Sequence, residues 1–323
     1  MIMPQAPSRG TIRPSTTFDA KTDAERLKKA MRGLGTDEDA MIDVLTQRSA
    51  AQRQQITAAF RSLTGKSLVS EVESEVSGDL GRLLVSLLLT PAMLDAQDLR
   101  NAIKGAGTNE ETLMEILGTR TNKQLGELAL AYREEYKTSP DDDIGSDTTS
   151  YFEKTLLTLL RGSRDESGKP DPQQAQKDAK VLYEAGEKKV GTNEDTFISV
   201  LCGRSVPQLK LVFEEYRQVS SKDLEDVIKS ETSGSFRDLL LVIVKCAKNT
   251  ATYFAERLNS ACKGCGTQDR TLIRVLVSRS EIDLQDVKVQ YLEKYGKPLS
   301  QAIKEEASGD YLKALLKVCG DNA

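Results

Sequence analysis

The sequence predicts an all-α protein built from four homologous repeats of about five short helices each. A glycine-containing segment recurs four times along the chain, at 31–38, 103–110, 188–194 and 262–269. Between these segments apolar residues recur at helical spacing, and no stretch shows the alternation that is typical of strands. Copies at intervals of roughly 70 to 85 residues indicate one array of like units rather than unrelated domains.

Two further residue types keep a fixed distance from the glycines. An arginine follows the first glycine position of each copy by fifteen residues, and a carboxylate follows the second by forty. The arginines are Arg48, Arg120, Arg204 and Arg279. The carboxylates are Glu75, Asp147, Glu231 and Glu306. Four matches at one spacing indicate that the carboxylate and the glycine loop of each repeat meet in space.

The first repeat is predicted over 18–89, after a flexible tail at 1–17 that holds three prolines and little that could pack. Thr36 is the predicted N-cap of the second helix, because Asp39 three residues later completes a capping box. The third helix ends at Gly65, and the fourth carries Glu75 near its end. The other predicted helices of this repeat lie at 23–31, about 51–63, and 80–88.

The remaining repeats are predicted at 90–161, 173–245 and 249–320, with a linker rich in Gly, Ser, Pro and charge at 162–172. Thr108 and Thr192 stand where Thr36 does, while the fourth repeat loses the capping box because Arg270 replaces the acid. Ser139-Pro140 followed by three aspartates fits a helix start, with a cap, a proline and acids facing the helix dipole. A metal-binding cluster is the alternative for these aspartates.

Composition excludes several functions. The chain has no histidine, which removes Ser-His-Asp and Cys-His catalysis and most zinc sites, so no enzyme activity is expected. A net charge of −4 argues against a nucleic-acid partner. Cys262 and Cys265 have the spacing of a redox or zinc pair, but the sister repeats carry apolar residues there, which favours small apolar filling.

The same composition predicts a soluble, cytoplasmic protein. Five cysteines without a framework spacing suit a reducing compartment. No secretory signal is visible in the first thirteen residues. The longest apolar runs, at 83–89 and 239–244, are too short to span a bilayer.

The glycine loops predict a site for a hard cation. Glycines let the backbone curl so that several carbonyl oxygens point at one centre, and one distant carboxylate adds charge. Such an oxygen cluster suits Ca²⁺, which takes about 6–8 oxygens in loose geometry. The alternative is that the glycines are helix C-caps and the acids solvated surface charges. Four copies, each with a paired acid, favour the metal.

The segment from Gly33 through Arg48, with a carboxylate forty residues after the second glycine, resembles the annexin family over about 18–320. The resemblance implies one curved disc of four five-helix repeats. It also implies Ca²⁺ as the cofactor and an acidic phospholipid membrane as the partner, with Ca²⁺ joining loop and lipid.

The resemblance implies three main sites of one pattern and a longer variant in repeat three. The three are Met31, Gly33, Gly35 and Glu75; Ile103, Gly105, Gly107 and Asp147; and Cys262, Gly264, Gly266 and Glu306. Lys189 replaces the first glycine in repeat three, so the variant there uses Gly186, Lys189, Gly191 and Glu231. Weaker accessory sites are implied at Thr36, Glu38, Glu110, Glu194 and Asp269.

Two other sets follow from the resemblance. An apolar residue lies between the two glycine positions of each repeat. Its role is either a tip that contacts the membrane or a filler of the core. The four residues are Leu34, Ala106, Val190 and Cys265. Five charged residues resemble those that line the central hydrophilic channel of the family. A paired structural network is the favoured role for them over ion conduction. They are Asp95, Glu115, Arg120, Arg274 and Asp283.

The sequence therefore predicts Ca²⁺-dependent binding to acidic phospholipid membranes, with a role in membrane organisation, trafficking or repair. It predicts cytoplasmic residence with attachment to membranes when Ca²⁺ rises, and lateral self-association there. Two alternatives are a helical-repeat scaffold for a protein partner, in which the loops are only structural, and a lipid hydrolase, against which the missing histidine counts.

Overall fold

The computed structural model describes residues 8–33, 35–104, 107–148, 150–188, 191–263 and 268–321. Over these residues the chain is all-α, with helices α1 to α19 and no strand. The Cα positions divide into two compact units, one of 1–94 with 254–323 and one of 95–253. The predicted fold class is confirmed, and no described helix has the length and hydropathy needed to traverse a bilayer.

The helices follow the predicted order. The first repeat contains α1 Ala20–Ala30, α2 Glu38–Thr46, α3 Ala50–Thr64, α4 Leu68–Glu75 and α5 Gly78–Leu88. The second contains α6 Pro91–Lys104, α7 Glu110–Thr119, α8 Asn122–Tyr136, α9 Pro140–Asp147 and α10 Ser150–Leu160. Ser139 caps α9 by accepting from the Asp141 amide, so the three aspartates belong to a helix start as predicted.

The third repeat contains α11 Pro172–Ala185, α12 Glu194–Gly203, α13 Val206–Ser220 and α14 Leu224–Glu231. Its fifth helix joins the first helix of repeat four as α15 Gly234–Cys262, in which Asn249 is non-helical and marks a kink. The fourth repeat continues with α16 Asp269–Arg279, α17 Leu284–Tyr295, α18 Leu299–Glu306 and α19 Gly309–Val318. The predicted repeat boundaries stay predictions.

The fifth helices of the first two repeats, α5 and α10, each pack against at least four other helices. In the first unit α5 packs against α2, α3, α4, α16 and α19, and its residues 83–88 are all buried. In the 95–253 unit α10 packs against α7, α8, α9 and α12. A helix that has neighbours on most sides must be hydrophobic on most sides.

The predicted N-caps are wrong by one residue. Asp37, Asn109 and Asn193 cap α2, α7 and α12, each accepting a hydrogen bond from the amide three residues later. Carboxylate and amide oxygens accept such bonds readily, and the threonine before each of them makes a different contact, described below. The fourth repeat has Gln268 at this position without a side-chain cap, as the loss of the box predicts.

Residues 8–12 do not form the flexible tail that the sequence predicts. The Arg9 and Thr11 amides donate to the Ile282 and Ser280 carbonyls, and the Thr11 hydroxyl donates to the Val318 carbonyl at 2.6 Å. A Cβ atom on Gly10 would lie 2.5 Å from the Ser280 oxygen, so only glycine permits this approach. The segment is held because the α16–α17 corner supplies acceptors that composition does not reveal.

The recurring arginine holds the first helix of its own repeat. Arg48, Arg120 and Arg204 each donate Nε and Nη2 to one aspartate, respectively Asp23, Asp95 and Asp178. A bidentate ion pair of this kind fixes both the distance between the two side chains and their relative orientation. It ties the start of the first helix to the corner that follows the second.

The fourth repeat replaces this ion pair. Phe254 stands where the other repeats have aspartate, and the Arg279 guanidinium lies 4.5 Å from its ring centroid. Arg279 donates instead to Asp283, with both Nε and Nη2 at 2.7 Å from its carboxylate oxygens. The arginine therefore keeps a bidentate charge contact, now with Asp283, and adds a cation–π contact with Phe254.

Asp95→Asn is expected to lower the free energy of unfolding more than Asp178→Asn does. The Arg120 side chain is 3% exposed and that of Arg204 37% exposed, so water solvates only the second arginine once its partner loses its charge. Removing one partner of a buried pair typically costs about 3–5 kcal/mol. Urea unfolding followed by circular dichroism measures both variants, and equal losses would contradict the expectation.

Candidate metal centre

One hydrogen bond closes the glycine loop in all four repeats. The amide at the start of the second helix donates to the last-turn alanine carbonyl of the first. The four bonds are Asp37 to Ala30 at 2.9 Å, Asn109 to Ala102 at 2.8 Å, Asn193 to Ala185 at 2.8 Å and Gln268 to Ala261 at 3.0 Å. This bond holds the two ends of each loop close together in all four repeats.

The loop of repeat one has the properties of a carbonyl-lined cation site. Gly33 and Gly35 have φ values of 109° and 88°, which strongly favour glycine. Within the described part of the chain, the carbonyl oxygens of Met31, Gly33 and Gly35 accept no hydrogen bond. Three oxygens on an exposed loop therefore remain available to a ligand.

The distant carboxylate meets this loop through the threonine. The Thr36 hydroxyl donates to Glu75 Oε2 at 3.0 Å, although the two residues are thirty-nine positions apart. In repeat two the Thr108 hydroxyl donates to Asp147 Oδ2 at 2.5 Å. The threonine is therefore a positioning residue for the carboxylate, which explains why the next residue caps the helix.

Repeat three holds its acid differently. The Thr192 hydroxyl donates to the main-chain oxygen of Glu231 at 2.8 Å, and the Glu231 carboxylate accepts from Ser230. The loop also spans one more residue between its closing amide and carbonyl than the other three loops do. The predicted departure of this repeat is therefore a difference in loop length as well as in residue type.

The longer loop is tethered by Glu187. Its carboxylate accepts from the Tyr216 hydroxyl at 3.0 Å and from Ser220, and it pairs with Lys222 at 2.5 Å. Burial raises the pKa of Glu187, but the bonds from Lys222, Ser220 and Tyr216 outweigh it, so the pKa lies below its ordinary value. Sequence reasoning missed this residue, whose only signal is the longer spacing in repeat three.

Of the predicted site residues of repeat four, the structure describes Cys262, Asp269 and Glu306. Cys262 is 5% exposed, and burial raises the pKa of its thiol to about 11, so it is packed rather than reactive. Asp269 accepts from the Tyr311 hydroxyl at 2.9 Å. Burial raises the pKa of Asp269, which the Tyr311 bond partly offsets.

Several predicted residues lie outside the described part of the chain. These are Leu34, Gly105, Ala106, Lys189, Val190, Gly264, Cys265 and Gly266. Their roles as ligands or membrane-contacting tips stay predictions. Gly107 and Gly191 are described, with φ values of 92° and 87° like those of Gly35.

The accessory acids share a position at the start of a helix. Glu38, Glu110, Glu194 and Asp269 open α2, α7, α12 and α16. Acids in a first turn are stabilised by the helix dipole. Glu110 additionally accepts from the Ser235 hydroxyl of repeat three. The helix dipole thus accounts for these acids without a metal.

The five predicted channel residues are buried or ion-paired. Asp95 pairs with Arg120 in the 95–253 unit, and Asp283 pairs with Arg279 in the other. Glu115 is fully buried in α7, and Arg274 is 3% exposed in α16. The two pairs fit the structural network that the sequence favours, and a channel role stays a prediction.

The donor set fits calcium better than a softer metal. Among the described residues, no group of three His, Cys, Asp or Glu side chains could hold an ion. What the loops offer is carbonyl oxygen with one carboxylate, a hard set with few charges. Such a set needs further oxygens from outside the protein.

In the 95–253 unit two of these sites share one face. An open groove of about 410 Å³ is lined by Asp147 and Glu231, the distant acids of repeats two and three, and by Glu110 and Glu194. The ring centroids of Tyr151 and Phe236, which also line the groove, are 5.7 Å apart. The distant acids of repeats two and three therefore line one groove together with the acids that begin α7 and α12.

Known proteins resemble the chain along almost its full length. A family model described as Annexin matches residues 22–87, 94–159, 177–243 and 253–318. Annexin A3 of Bos taurus is 52% identical over 312 residues, covering 97% of each chain. The solved structure titled annexin III superimposes with a TM-score of 0.97 at 49% identity and full coverage of both chains. A calcium-bound annexin (Sm)1 gives a TM-score of 0.88 at 35% identity, covering 98% of this chain and 94% of that one.

Asn109→Ala and Thr108→Ala are expected to have separate effects. Asn109→Ala removes the cap of α7 and should lower the free energy of unfolding by about 1 kcal/mol. Thr108→Ala leaves the cap in place but frees the Asp147 carboxylate, so it should weaken terbium binding at repeat two with little loss of stability. Thermal unfolding and terbium luminescence measure the two effects. A Thr108 variant as unstable as the Asn109 variant would show that the threonine caps the helix after all.

Proposed function

The chain belongs to the annexin family, and we propose that it binds acidic phospholipid membranes through Ca²⁺ held between its glycine loops and lipid headgroups. The observation that carries the proposal is the meeting of available loop carbonyls with a carboxylate from forty residues away. This arrangement is complete in repeat one, where Met31, Gly33, Gly35 and Glu75 are all described.

The ligand count explains why a membrane is needed. Three carbonyls and one carboxylate that binds through both oxygens supply about five ligands, and Ca²⁺ takes about 6–8. About two positions are left for oxygens from a partner. Phosphoryl and carboxylate oxygens of acidic lipids are hard, anionic and abundant at a membrane surface, so they suit these positions.

Charge makes the binding conditional. The protein carries a net charge of −4, and the groove of the 95–253 unit is lined by four carboxylates. An anionic bilayer therefore repels this face while the loops are empty. One divalent ion in each repeat would reverse the sign of the net charge and turn repulsion into attraction.

The position of the acids of two repeats on one groove supports membrane binding over a purely structural role for the loops. Loops that only joined helices would have no reason to keep available carbonyls or to bring two distant acids to one groove. Within the 95–253 unit, two weak sites that border one groove can act together on a membrane surface. We infer a peripheral membrane protein that attaches when Ca²⁺ rises, with a role in membrane organisation, trafficking or repair and lateral self-association there. No enzymatic step is proposed.

Changing Glu75, Asp147, Glu231 and Glu306 to their amides should abolish Ca²⁺-dependent pelleting with phosphatidylserine vesicles. The change removes the charged ligand of every main site and is nearly isosteric, so the circular dichroism spectrum should remain helical. The control is a second quadruple variant with the same change in charge, made at the exposed positions Glu73, Glu135, Glu214 and Glu293. Equal binding by both variants would refute the ligand assignment.

Lipid and Ca²⁺ should strengthen each other's binding by the same factor, because a coupling free energy is reciprocal. Calorimetry without lipid should give weak Ca²⁺ binding, near the millimolar range of sites with few charged ligands. Phosphatidylserine vesicles should lower the Ca²⁺ midpoint, and phosphatidylcholine vesicles should lower it far less. Micromolar affinity that vesicles leave unchanged would mean that the protein closes the shell alone.

A further inference from the structure

A second cavity of the 95–253 unit lies at the opposite end of α7 from the metal loop. It has a volume of about 330 Å³ and is lined by residues 118–121, linker residues 164–166 and 168, residues 205–207 and 209 at the start of α13, and residues 243, 246, 247 and 250 of α15. We call it the linker pocket. Because α7 has ten residues, about 15 Å of helix separates it from Glu110 in the groove.

The walls of the linker pocket are largely apolar. Leu209 and Ile243 are buried, and Val206 is 42% exposed at the first position of α13. Pro207 and Ala247 complete this lining. Polar and charged residues complete the lining, and the volume is at the lower end of the usual range of about 300–1,000 Å³ for small-molecule sites.

One cation of the pocket keeps donors for a ligand. Arg164 donates Nη1 to the Leu201 and Arg204 carbonyls, at 2.9 and 2.7 Å. Its Nε and Nη2 have no partner among the described residues. Burial lowers the pKa of Arg164, yet a guanidinium stays charged in proteins. Arg120, the other cation of the lining, is already paired with Asp95.

The start of a helix adds positive potential near Arg164, whose charge also interacts with that of Glu166. Ser205 caps α13, a helix of fifteen residues whose positive end faces the pocket. Two carboxylates also line the mouth, but both already have donors. Asp165 accepts from the amide and hydroxyl of Ser167, and Glu166 accepts from the Asn122 amide. Both acids are exposed, where water and salt screen them, whereas Arg164 is partly buried.

We propose that the linker pocket binds a small organic acid, whose carboxylate pairs with Arg164 while its apolar body lies against Val206, Leu209 and Ile243. The site is distinct from the metal loops and needs no Ca²⁺. Because it lies at the other end of α7, the ligand can bind while the loops are occupied.

Calorimetry in the presence of a chelator tests the proposal with 2-naphthoate as the probe. The full chain should bind one naphthoate and should bind the uncharged 2-naphthylmethanol about tenfold more weakly, a difference of about 1.4 kcal/mol. Equal affinity for the two probes, or no binding of either at millimolar concentration, would overturn the proposal. Neither result bears on membrane binding, because no Ca²⁺ is present.

Two variants locate the site. Arg164→Gln should weaken naphthoate binding about tenfold or more. The control Arg161→Gln removes the same charge from an exposed side chain three residues earlier and should not weaken binding.

Val206→Glu places a carboxylate in the lining at a first-turn position where acids stabilise helices, so folding should be unharmed. It should weaken naphthoate binding and leave naphthylmethanol unaffected. A folded Val206→Glu protein that binds naphthoate like the parent would refute the assignment, even if the Arg164 variant does not fold.

Discussion

The arrangement of each repeat depends on the hydrogen bond that closes its glycine loop. An amide at the start of the second helix bonds the alanine carbonyl near the end of the first, in all four copies. Between the fixed ends, the described glycines Gly33, Gly35, Gly107 and Gly191 adopt positive φ. The same closure sets the threonine against the acid-bearing fourth helix and places the following residue to cap the second helix.

Several levels of this structure could be predicted from the sequence because they depend on local or repeated signals. Helices follow from apolar spacing and from stops such as Gly65, which has a φ of 75° at the end of α3. The approach of Glu75 to the loop follows from four copies at one spacing. Repetition of the spacing supplies what one copy could not, and the contact itself is present in repeats one and two.

Other features could not be predicted because a tertiary contact decides between equal local choices. Thr36 and Asp37 are both good capping residues, and only the nearness of Glu75 assigns the hydroxyl to the carboxylate and the cap to Asp37. The composition of residues 8–12 is typical of a flexible tail. Their amides nevertheless donate hydrogen bonds to backbone carbonyls of the α16–α17 corner. The two-unit division likewise depends on packing around α5 and α10 rather than on any linker signal.

The tether in repeat three has a consequence for the entropy of metal binding. An additional residue enlarges the conformational freedom of a loop, and a ligand that orders the loop must overcome this freedom. Glu187 lies in this loop, and its bonds to Tyr216 and Lys222 restrict the described start of the loop when the chain folds. Ordering is then part of folding rather than of ion capture. The first residues of this longer loop therefore lose little additional freedom when an ion binds, despite the added residue.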